Sequence, residues 1–264
     1  KREKIIAFKN SFHGRSNAAL SITDNYKIKS ELNKKINVIH IEFNDKASFE
    51  KEISNGDVSS VIFESIQGVG GLDQPSTEFV KHISKKCKEY DTCLIADEIQ
   101  SGFGRTGDFF AFQNHDINPD IICMAKGMGN GFPVGGILIK DHIKSSFGML
   151  GTTFGGNHLA CSAVLSVLKT IKEESLLSNT KEMEVYFREK ISKIKSVIKI
   201  KGRGLMLGIE FDFEAAQLRK NLIFNHKIFT GGSANKNLLR ILPPLNINKS
   251  HIDMLFNALK EELK

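Results

Sequence analysis

Short apolar runs alternate along the first two thirds of the chain with stretches in which apolar residues recur every three or four positions. The runs predict buried strands, because strands of a parallel sheet are nearly continuous in Val, Ile and Leu. They cover residues 4–8, 37–43, 59–64, 94–97, 121–124 and 134–139. The stretches with helical spacing predict helices at 45–54, 76–90 and 157–171. Strands that alternate with helices predict an α/β fold with a mainly parallel sheet.

The pattern changes at about residue 175. Helices are predicted at 181–198, 214–222 and 250–263, and strands at 205–211, 227–230 and 237–242. Strands and helices here no longer alternate regularly, which is typical of an α+β unit. We therefore expect two domains, a large one over residues 1–174 and a smaller C-terminal α+β domain over residues 175–264.

Charge and composition exclude several classes of function. The net charge is +7 over 264 residues, but the lysines are scattered and no basic block is interleaved with aromatic residues, so we expect no nucleic-acid partner. No apolar run reaches the roughly 18 residues of a membrane span, and the start has no signal-peptide pattern, so we expect a cytoplasmic protein that binds no membrane. Four cysteines without a C-x-x-C pair indicate buried free thiols, and the histidine spacing indicates no metal site.

Lys126 is the first candidate for chemistry. It follows the apolar run 121–124 and begins a glycine-rich loop, although lysine is mostly a surface residue. A lysine held in such a place can lose its proton and form a Schiff base with pyridoxal phosphate (PLP) or another carbonyl compound. A surface lysine beside a turn would give the same local pattern, so this residue alone leaves both interpretations open.

Asp97 favours the first interpretation. It ends the predicted strand 94–97, and the carboxyl ends of strands are where open α/β sheets place functional groups. A PLP enzyme needs a carboxylate against the pyridinium nitrogen, because the protonated ring is the electron sink. Asp97 and Lys126 lie one strand–loop–strand unit apart, so both side chains can reach one site.

Several motifs in order resemble the class III (ornithine-type) aminotransferases of PLP fold type I. They are DEIQSGFGRTG at residues 97–107, PD at 119–120 and AKG at 125–127. The stretch GTTFGGNHLACSA at 151–163 resembles the acetylornithine aminotransferase branch in particular. The resemblance extends from Phe12 to the C-terminus. It implies an aspartate aminotransferase-like, PLP-binding large domain and a smaller C-terminal domain.

The resemblance implies a role for each matched residue around the cofactor. Lys126 would hold PLP, Asp97 would keep the ring nitrogen protonated, and Gln100 would hydrogen-bond the ring hydroxyl. In the motif FHGR, Phe12 would stack on the ring and Arg15 would bind the substrate α-carboxylate. Arginine suits that role because its planar fork holds a carboxylate with two hydrogen bonds. The alternative is a buried loop phenylalanine and a solvated arginine.

Further site residues follow from the other motifs. Thr152 and Thr153 precede a predicted helix start, a natural phosphate site or simply a helix cap. By resemblance, Thr153 reaches the PLP phosphate of a neighbouring subunit, which implies a homodimer. Arg240, in the segment LLRILPPL, would bind a carboxylate of glutamate, and Glu64 is a further site acid at a strand end.

The implied reaction transfers the terminal amine of N-acetylornithine, or N-succinylornithine, to 2-oxoglutarate in arginine biosynthesis. The alternatives are an ornithine or other ω-amino acid aminotransferase, another PLP activity such as an aminomutase or decarboxylase, and a non-catalytic protein of the PLP fold. The stretch ESIQGVGG at 64–71 has Ser65 and Val69 where the family has proline and glutamate. In many members of the family, that glutamate pairs with the arginine matched here by Arg240 and masks its charge while a diamine is bound. Because Val69 cannot form this ion pair, the charge of Arg240 would repel a free ω-ammonium. We therefore expect N-acylated ornithine to be preferred over the free diamine.

One family motif has no counterpart. The family has an upstream G-[ST]-E-A loop that supplies backbone amides to the PLP phosphate, and no segment of this sequence matches it. The first recognisable motif begins at Phe12. We therefore expect the sequence to be an N-terminally truncated part of a longer protein.

Overall fold

The computed structural model describes residues 2–264. Its larger sheet has six strands: β1 (Lys4–Phe8), β2 (Val38–Ile41), β3 (Val58–Phe63), β4 (Cys93–Asp97), β5 (Ile121–Met124) and β6 (Gly136–Ile139). The strand order is β2-β1-β3-β4-β5-β6, and every pair is parallel except β5–β6. The carboxyl ends of β1, β3, β4 and β5 therefore lie along one edge, and the loops that follow them meet there.

Four helices accompany this sheet: α1 (Asn17–Ile22), α2 (Lys46–Ile53), α3 (Thr77–Glu89) and α4 (His158–Glu173). Local signals set their starts, since the Asp45 carboxylate caps α2 and the Ser76 hydroxyl accepts the Phe79 N–H at 3.1 Å to cap α3. The buried residues of α3 recur with helical spacing and pack against the sheet together with Phe8 and Phe49. The Phe79 ring of α3 meets the rings of Phe8 in β1 and Phe49 in α2 edge-on, at centroid distances of 5.9 and 6.1 Å, so aromatic contacts help to hold both helices on the sheet.

A second, three-stranded antiparallel sheet follows in the chain. It consists of β7 (Val197–Arg203), β8 (Met206–Phe211) and β9 (Leu238–Ile241), in that order. Helices α5 (Leu176–Ile191), α6 (Ala216–His226) and α7 (Lys249–Glu262) pack on it. Phe187, Leu207 and Leu259 lie in this second core, which is separate from the first. The predicted domain division at residue 174 stays a prediction, and the first core reaches beyond it, since it includes Leu176 and shares Leu245 with the second core.

Two predicted elements were wrong, and helix α1 and strand β7 were not predicted. The helix predicted at 181–198 begins at Leu176 and ends at Ile191, because strand β7 begins at Val197. The strand predicted at 227–230 does not form, and only Gly231 pairs with Arg240 as an isolated bridge. Helix α1 was not predicted, because its six residues are too short to show a period. The expectation of buried thiols was also wrong for Cys161, which is exposed, and all four cysteines are free.

Arg105, in the loop after β4, joins the two parts of the chain. Its guanidinium donates hydrogen bonds to the carbonyls of Leu205 and Pro243, and its own carbonyl accepts the Leu205 N–H at 2.9 Å. Burial lowers the pKa of Arg105 to about 10. Lys201 of β7 adds an ion pair with Asp73 at 2.6 Å. These contacts seat the small sheet beside the carboxyl edge of the large one.

Within residues 2–264, no helix combines the length and the apolar character that crossing a membrane requires.

Candidate active site

Asp97 lies at the carboxyl end of β4 and is only 6% exposed. Its Oδ1 accepts the N–H of Ile99 at 3.1 Å, and its Oδ2 lies 2.7 Å from Nδ1 of His13. Each carboxylate oxygen has two lone pairs, so each can accept a further hydrogen bond. The carboxylate is thus buried, oriented on both oxygens and still able to bind a donor.

His13 comes from the loop after β1, and the sequence did not predict it as a site residue. Its backbone N–H donates to Oγ1 of Thr23 at 2.9 Å, and Thr23 is fully buried. Its second ring nitrogen, Nε2, is buried and has no hydrogen-bond partner among residues 2–264. The loop therefore places an imidazole directly against the Asp97 carboxylate.

Glu64 follows β3 and fastens two of the loops. Its Oε1 accepts the Phe12 N–H at 2.9 Å, and its Oε2 accepts the Gly68 N–H at 3.2 Å. Burial raises the pKa of Glu64 to about 7, and the neighbouring His13 and the two N–H groups act in the opposite direction. Its assignment as a substrate ligand stays a prediction, while the observed contacts of Glu64 are all with the chain itself.

Lys126 follows β5 and begins a single 3-10 turn, Lys126–Met128. Its φ of 46° lies in the left-handed region, which only glycine, asparagine and aspartate visit readily. Loss of hydration lowers the pKa of the Lys126 amine, against the opposing effect of the Asp97 and Glu64 carboxylates. A more easily deprotonated lysine is what a nucleophilic amine requires.

A cavity of about 430 Å³ opens at Lys126. Gln100, Phe103 and Arg105 of the loop after β4 line it, together with Val167 of α4 and Leu242, which follows β9. Asp97 and Phe12 are not among the lining residues, so the cavity approaches Lys126 from the side of α4 and the small sheet. Lys126 is thus the residue that joins this cavity to the buried carboxylates.

Arg240 of β9 reaches the same loops. Its Nη1 donates to the carbonyl of Gly68 at 2.6 Å and lies 3.4 Å from Oε1 of Gln100. Its Nε is buried without a partner, and no carboxylate among residues 2–264 forms an ion pair with it. Burial, followed by repulsion from Arg219, lowers the pKa of Arg240. The Val69 side chain next to Gly68 is 36% exposed and, being apolar, offers the guanidinium no charge.

The other predicted residues lie farther out. Phe12 is half-buried, and the exposed Arg15 guanidinium lies 6.0 Å from the centre of its ring. Thr152 and Thr153 are exposed, and the Thr152 hydroxyl accepts the Gly155 N–H at 3.2 Å. Neither threonine lines the cavity at Lys126, and their predicted contact with a neighbouring subunit stays a prediction.

A second buried acid, Glu98, was also not predicted as important. Its carboxylate accepts the N–H groups of Ala111 and Phe112, each at 2.9 Å, and the Ser101 hydroxyl at 3.0 Å. Burial raises the pKa of Glu98 to about 7. All of these partners lie between β4 and β5, in the segment that also contributes Gln100 and Phe103 to the cavity. Glu98 therefore holds this segment in place.

The residues present fit PLP. Each oxygen of the Asp97 carboxylate has a lone pair left for a pyridinium N–H donor, and the Lys126 amine has a lowered pKa and lines a cavity. Gln100 lines the same cavity as Lys126, and Arg240 is near enough for its charge to lower the Lys126 pKa further. Among residues 2–264, no cluster of three or more His, Cys, Asp or Glu side chains could hold a metal ion.

Comparisons with curated proteins identify close relatives. The chain is 40% identical to the acetylornithine aminotransferase of Aquifex aeolicus over 268 residues, which cover 98% of the chain and 68% of the relative. It is 38% identical to the acetylornithine aminotransferase of Bacillus subtilis, with 99% and 69% covered. The chain thus spans about two thirds of the length of these relatives.

Solved structures share the fold. The ornithine aminotransferase of Toxoplasma gondii superposes with a TM-score of 0.90 at 24% identity, over 100% of this chain and 66% of that one. That of Plasmodium falciparum gives a TM-score of 0.81 at 26% identity, with 98% and 64% covered. These likenesses confirm the predicted fold class. The family model described as Aminotransferase class-III matches residues 1–263 of the chain. The chain therefore belongs to the class-III aminotransferases, a family of PLP-dependent enzymes.

Proposed function

We propose that the whole protein transfers the terminal amine of N-acetylornithine, or of N-succinylornithine, to 2-oxoglutarate, as a step of arginine biosynthesis. The observation that carries this proposal is that Lys126 and Asp97 lie at one edge of the large sheet and that Arg240 of β9 reaches the same loops. Two curated relatives with the acetylornithine name, at 40% and 38% identity, support the substrate class. We infer a cytoplasmic location from the same pathway.

PLP bound at this site supplies an electron sink that makes a proton on the substrate carbon acidic. Lys126 would hold the cofactor, and its amine, freed when the substrate amine replaces it, would take that proton and return it. The lowered pKa of Lys126 favours both roles, because a neutral amine is the nucleophile and the base. Asp97 would accept a hydrogen bond from the ring nitrogen, and the burial of its carboxylate would strengthen this contact.

Arg240 supports the preference for an acylated substrate. Its guanidinium bonds to the carbonyl of Gly68 and has no carboxylate to neutralise it within residues 2–264. A positive group of this kind repels the ω-ammonium of free ornithine and attracts an anionic or neutral tail. The solved ornithine aminotransferases named above match the fold at lower identity, so ornithine is the second candidate.

We also propose a homodimer in which Thr153 serves the partner's cofactor. Thr152 and Thr153 are exposed, and so are the large apolar side chains of Phe147, Phe154 and Leu159 beside them. An exposed apolar cluster next to a predicted phosphate ligand is what a shared site requires.

The test is a panel of amino donors with 2-oxoglutarate on the whole native protein. We expect the highest kcat/KM with N-acetylornithine or N-succinylornithine, and a lower value with ornithine and γ-aminobutyrate. With the donor alone, the bound cofactor should convert to its amine form, which separates transamination from an aminomutase or decarboxylase. A protein that converts none of the four donors would refute the proposal and favour a non-catalytic role.

A further inference from the structure

Arg219 of α6 is an exposed arginine that lies outside every motif of the family resemblance. Its Nε donates to the carbonyl of Thr230 at 3.0 Å, in the segment that leads from α6 into β9. In the same segment, Gly231 exchanges two backbone hydrogen bonds with Arg240, at 2.8 and 2.9 Å. Arg219 is therefore bound to the residue next to the direct backbone partner of Arg240.

Two consecutive glycines lie beside the two guanidinium groups. A Cβ atom on Gly231 would lie 3.0 Å from Nε of Arg240, and one on Gly232 would lie 3.8 Å from Nη1 of Arg219. Two residues farther on, the N–H of Ala234 donates to a carbonyl of the loop after β3 at 2.8 Å. Two positive groups thus approach one segment that borders the site and has no side chain at these two positions.

No carboxylate neutralises this pair of charges. Within residues 2–264, the side-chain hydrogen bonds of Arg219 and Arg240 go to neutral groups, and neither guanidinium forms an ion pair. Glu210 lies on the same face of the small sheet as Arg240, since it follows two residues after the strand partner Gly208. Its Oε1 instead accepts an N–H of the Asn235 side chain at 2.6 Å. Burial, followed by repulsion from Arg219, lowers the pKa of Arg240.

We propose that Arg219 is a specificity-determining residue that strengthens the binding of a carboxylate at Arg240. This inference rests on the proposed function, in which Arg240 binds a carboxylate of the acceptor. Arg219 touches no reacting atom and acts by its charge, which adds to the positive potential at Arg240. A carboxylate that arrives there is attracted by both arginines, whereas an ammonium group is repelled by both. The pair therefore favours a dicarboxylic acceptor over a cationic ligand.

The alternative is a structural role, in which Arg219 only holds the carbonyl of Thr230. Side chains of graded charge separate the two roles: Arg219→Lys keeps the charge, Arg219→Gln and Arg219→Met remove it, and Arg219→Glu reverses it. A structural role predicts losses that do not follow charge and do not depend on salt. A role through charge predicts that carboxylate affinity falls from the native protein and Arg219→Lys to the neutral variants, and again to Arg219→Glu.

The first measurement is the affinity of the whole cofactor-loaded protein for glutarate, by calorimetric titration. Glutarate is an unreactive dicarboxylate with the carbon chain of 2-oxoglutarate, so no turnover occurs. At about 0.01 M salt, we expect Arg219→Gln and Arg219→Met to weaken binding about 2- to 5-fold, the range of one exposed charge pair. Arg219→Glu should weaken it by about the square of that factor, and Arg219→Lys by less than about 1.5-fold. At about 1 M salt, where the Debye length is about 3 Å, all of these ratios should approach 1.

The second measurement is steady-state kinetics with the two substrates varied in turn. In the neutral variants, kcat/KM for 2-oxoglutarate should fall by the same factor as the glutarate affinity. The value for N-acetylornithine, whose carboxylate is expected at Arg15, should stay unchanged. The control is Lys220→Gln, because Lys220 is the next residue of α6 and is also exposed. It should leave the glutarate affinity and both kinetic values as they are in the native protein.

Native glutarate affinity in the neutral variants at low salt would overturn the inference. So would losses that persist at high salt or that Arg219→Lys shares. Two neutral variants are made so that a folding failure of one leaves the other to decide. If the native protein itself binds no glutarate, the proposed role of Arg240 is refuted, whereas native binding that no Arg219 variant changes refutes only the role of Arg219.

Discussion

Replacing Glu64 with glutamine should lower the free energy of unfolding at pH 5 but leave it unchanged or raise it at pH 8. Burial raises the pKa of Glu64 from 4.5 to about 7 in the folded chain. Between these values the folded state holds a proton that the unfolded state has lost. The free energy of unfolding therefore falls as the pH rises from 4.5 to about 7, and it is constant above and below this window.

The magnitude follows from linkage. One group contributes a slope of about 1.4 kcal/mol per pH unit, which amounts to about 3 kcal/mol across the window. Glutamine resembles the protonated acid and removes this loss. It has one oxygen for the two N–H donors of Phe12 and Gly68, and the unpaired donor costs about 1–3 kcal/mol. Glu64→Gln should therefore be less stable than the native protein at pH 5 and as stable or more stable at pH 8.

The assay is urea unfolding of the apoenzyme at one protein concentration from pH 4.5 to pH 8, since an oligomer's stability depends on concentration. Glu98→Gln is the matched variant, because Glu98 is equally buried, also has its pKa raised to about 7, and also accepts two backbone N–H groups. Between pH 4.5 and about 7, the slope of the unfolding free energy against pH should be about 1.4 kcal/mol per pH unit shallower in each single variant than in the native protein. In the double variant the difference should be about twice that. A native slope retained in Glu64→Gln would refute the argument that this acid is protonated in the fold near neutral pH.

Three further outcomes are expected. Lys126→Ala should lower turnover by at least about 10²–10⁴-fold and abolish borohydride trapping of PLP on the chain, and trapping on another lysine would reject the assignment. Val69→Glu should place a carboxylate near Arg240 and raise kcat/KM for ornithine relative to N-acetylornithine, so unchanged ratios would show that the residue only packs in its loop. Thr153→Ala should weaken PLP binding in the dimer seen by sedimentation, whereas full activity of a strictly monomeric native protein would contradict a shared site.

The large sheet could be predicted from the sequence because each of its strands is a short apolar run between turn signals. Strand β1 at 4–8 and strand β5 at 121–124 have the predicted bounds. The error at β7 has a physical cause. Residues 198–201 read Ile-Lys-Ile-Lys, a period of two, but helix α5 ends in Lys190-Ile191 and residues 193–195 after it read Lys-Ile-Lys, so the same residue types continue the helical pattern. Only the packing of β7 against β8 distinguishes them.

The site could be predicted in part. Asp97 and Lys126 stand at strand ends, where position itself is a signal, and the structure brings both to one edge of the sheet. His13 carries no such signal, because a histidine in a loop has neither period nor fixed spacing to its partner 84 residues away. The one available signal was its place inside the motif FHGR, between the predicted site residues Phe12 and Arg15. In the structure His13 is more buried than either of them.

The left-handed backbone at Lys126 lowers the stability of the folded chain at the residue whose amine the proposed reaction needs. A side chain at φ 46° costs roughly 1–2 kcal/mol relative to glycine, which adopts this conformation freely. Fold stability alone would thus favour glycine at the residue on which the proposed reaction depends. Lys126→Gly should give a protein that is more resistant to unfolding than Lys126→Ala and no more active. Selecting variants of this enzyme for thermostability alone would therefore tend to erase its reactive amine.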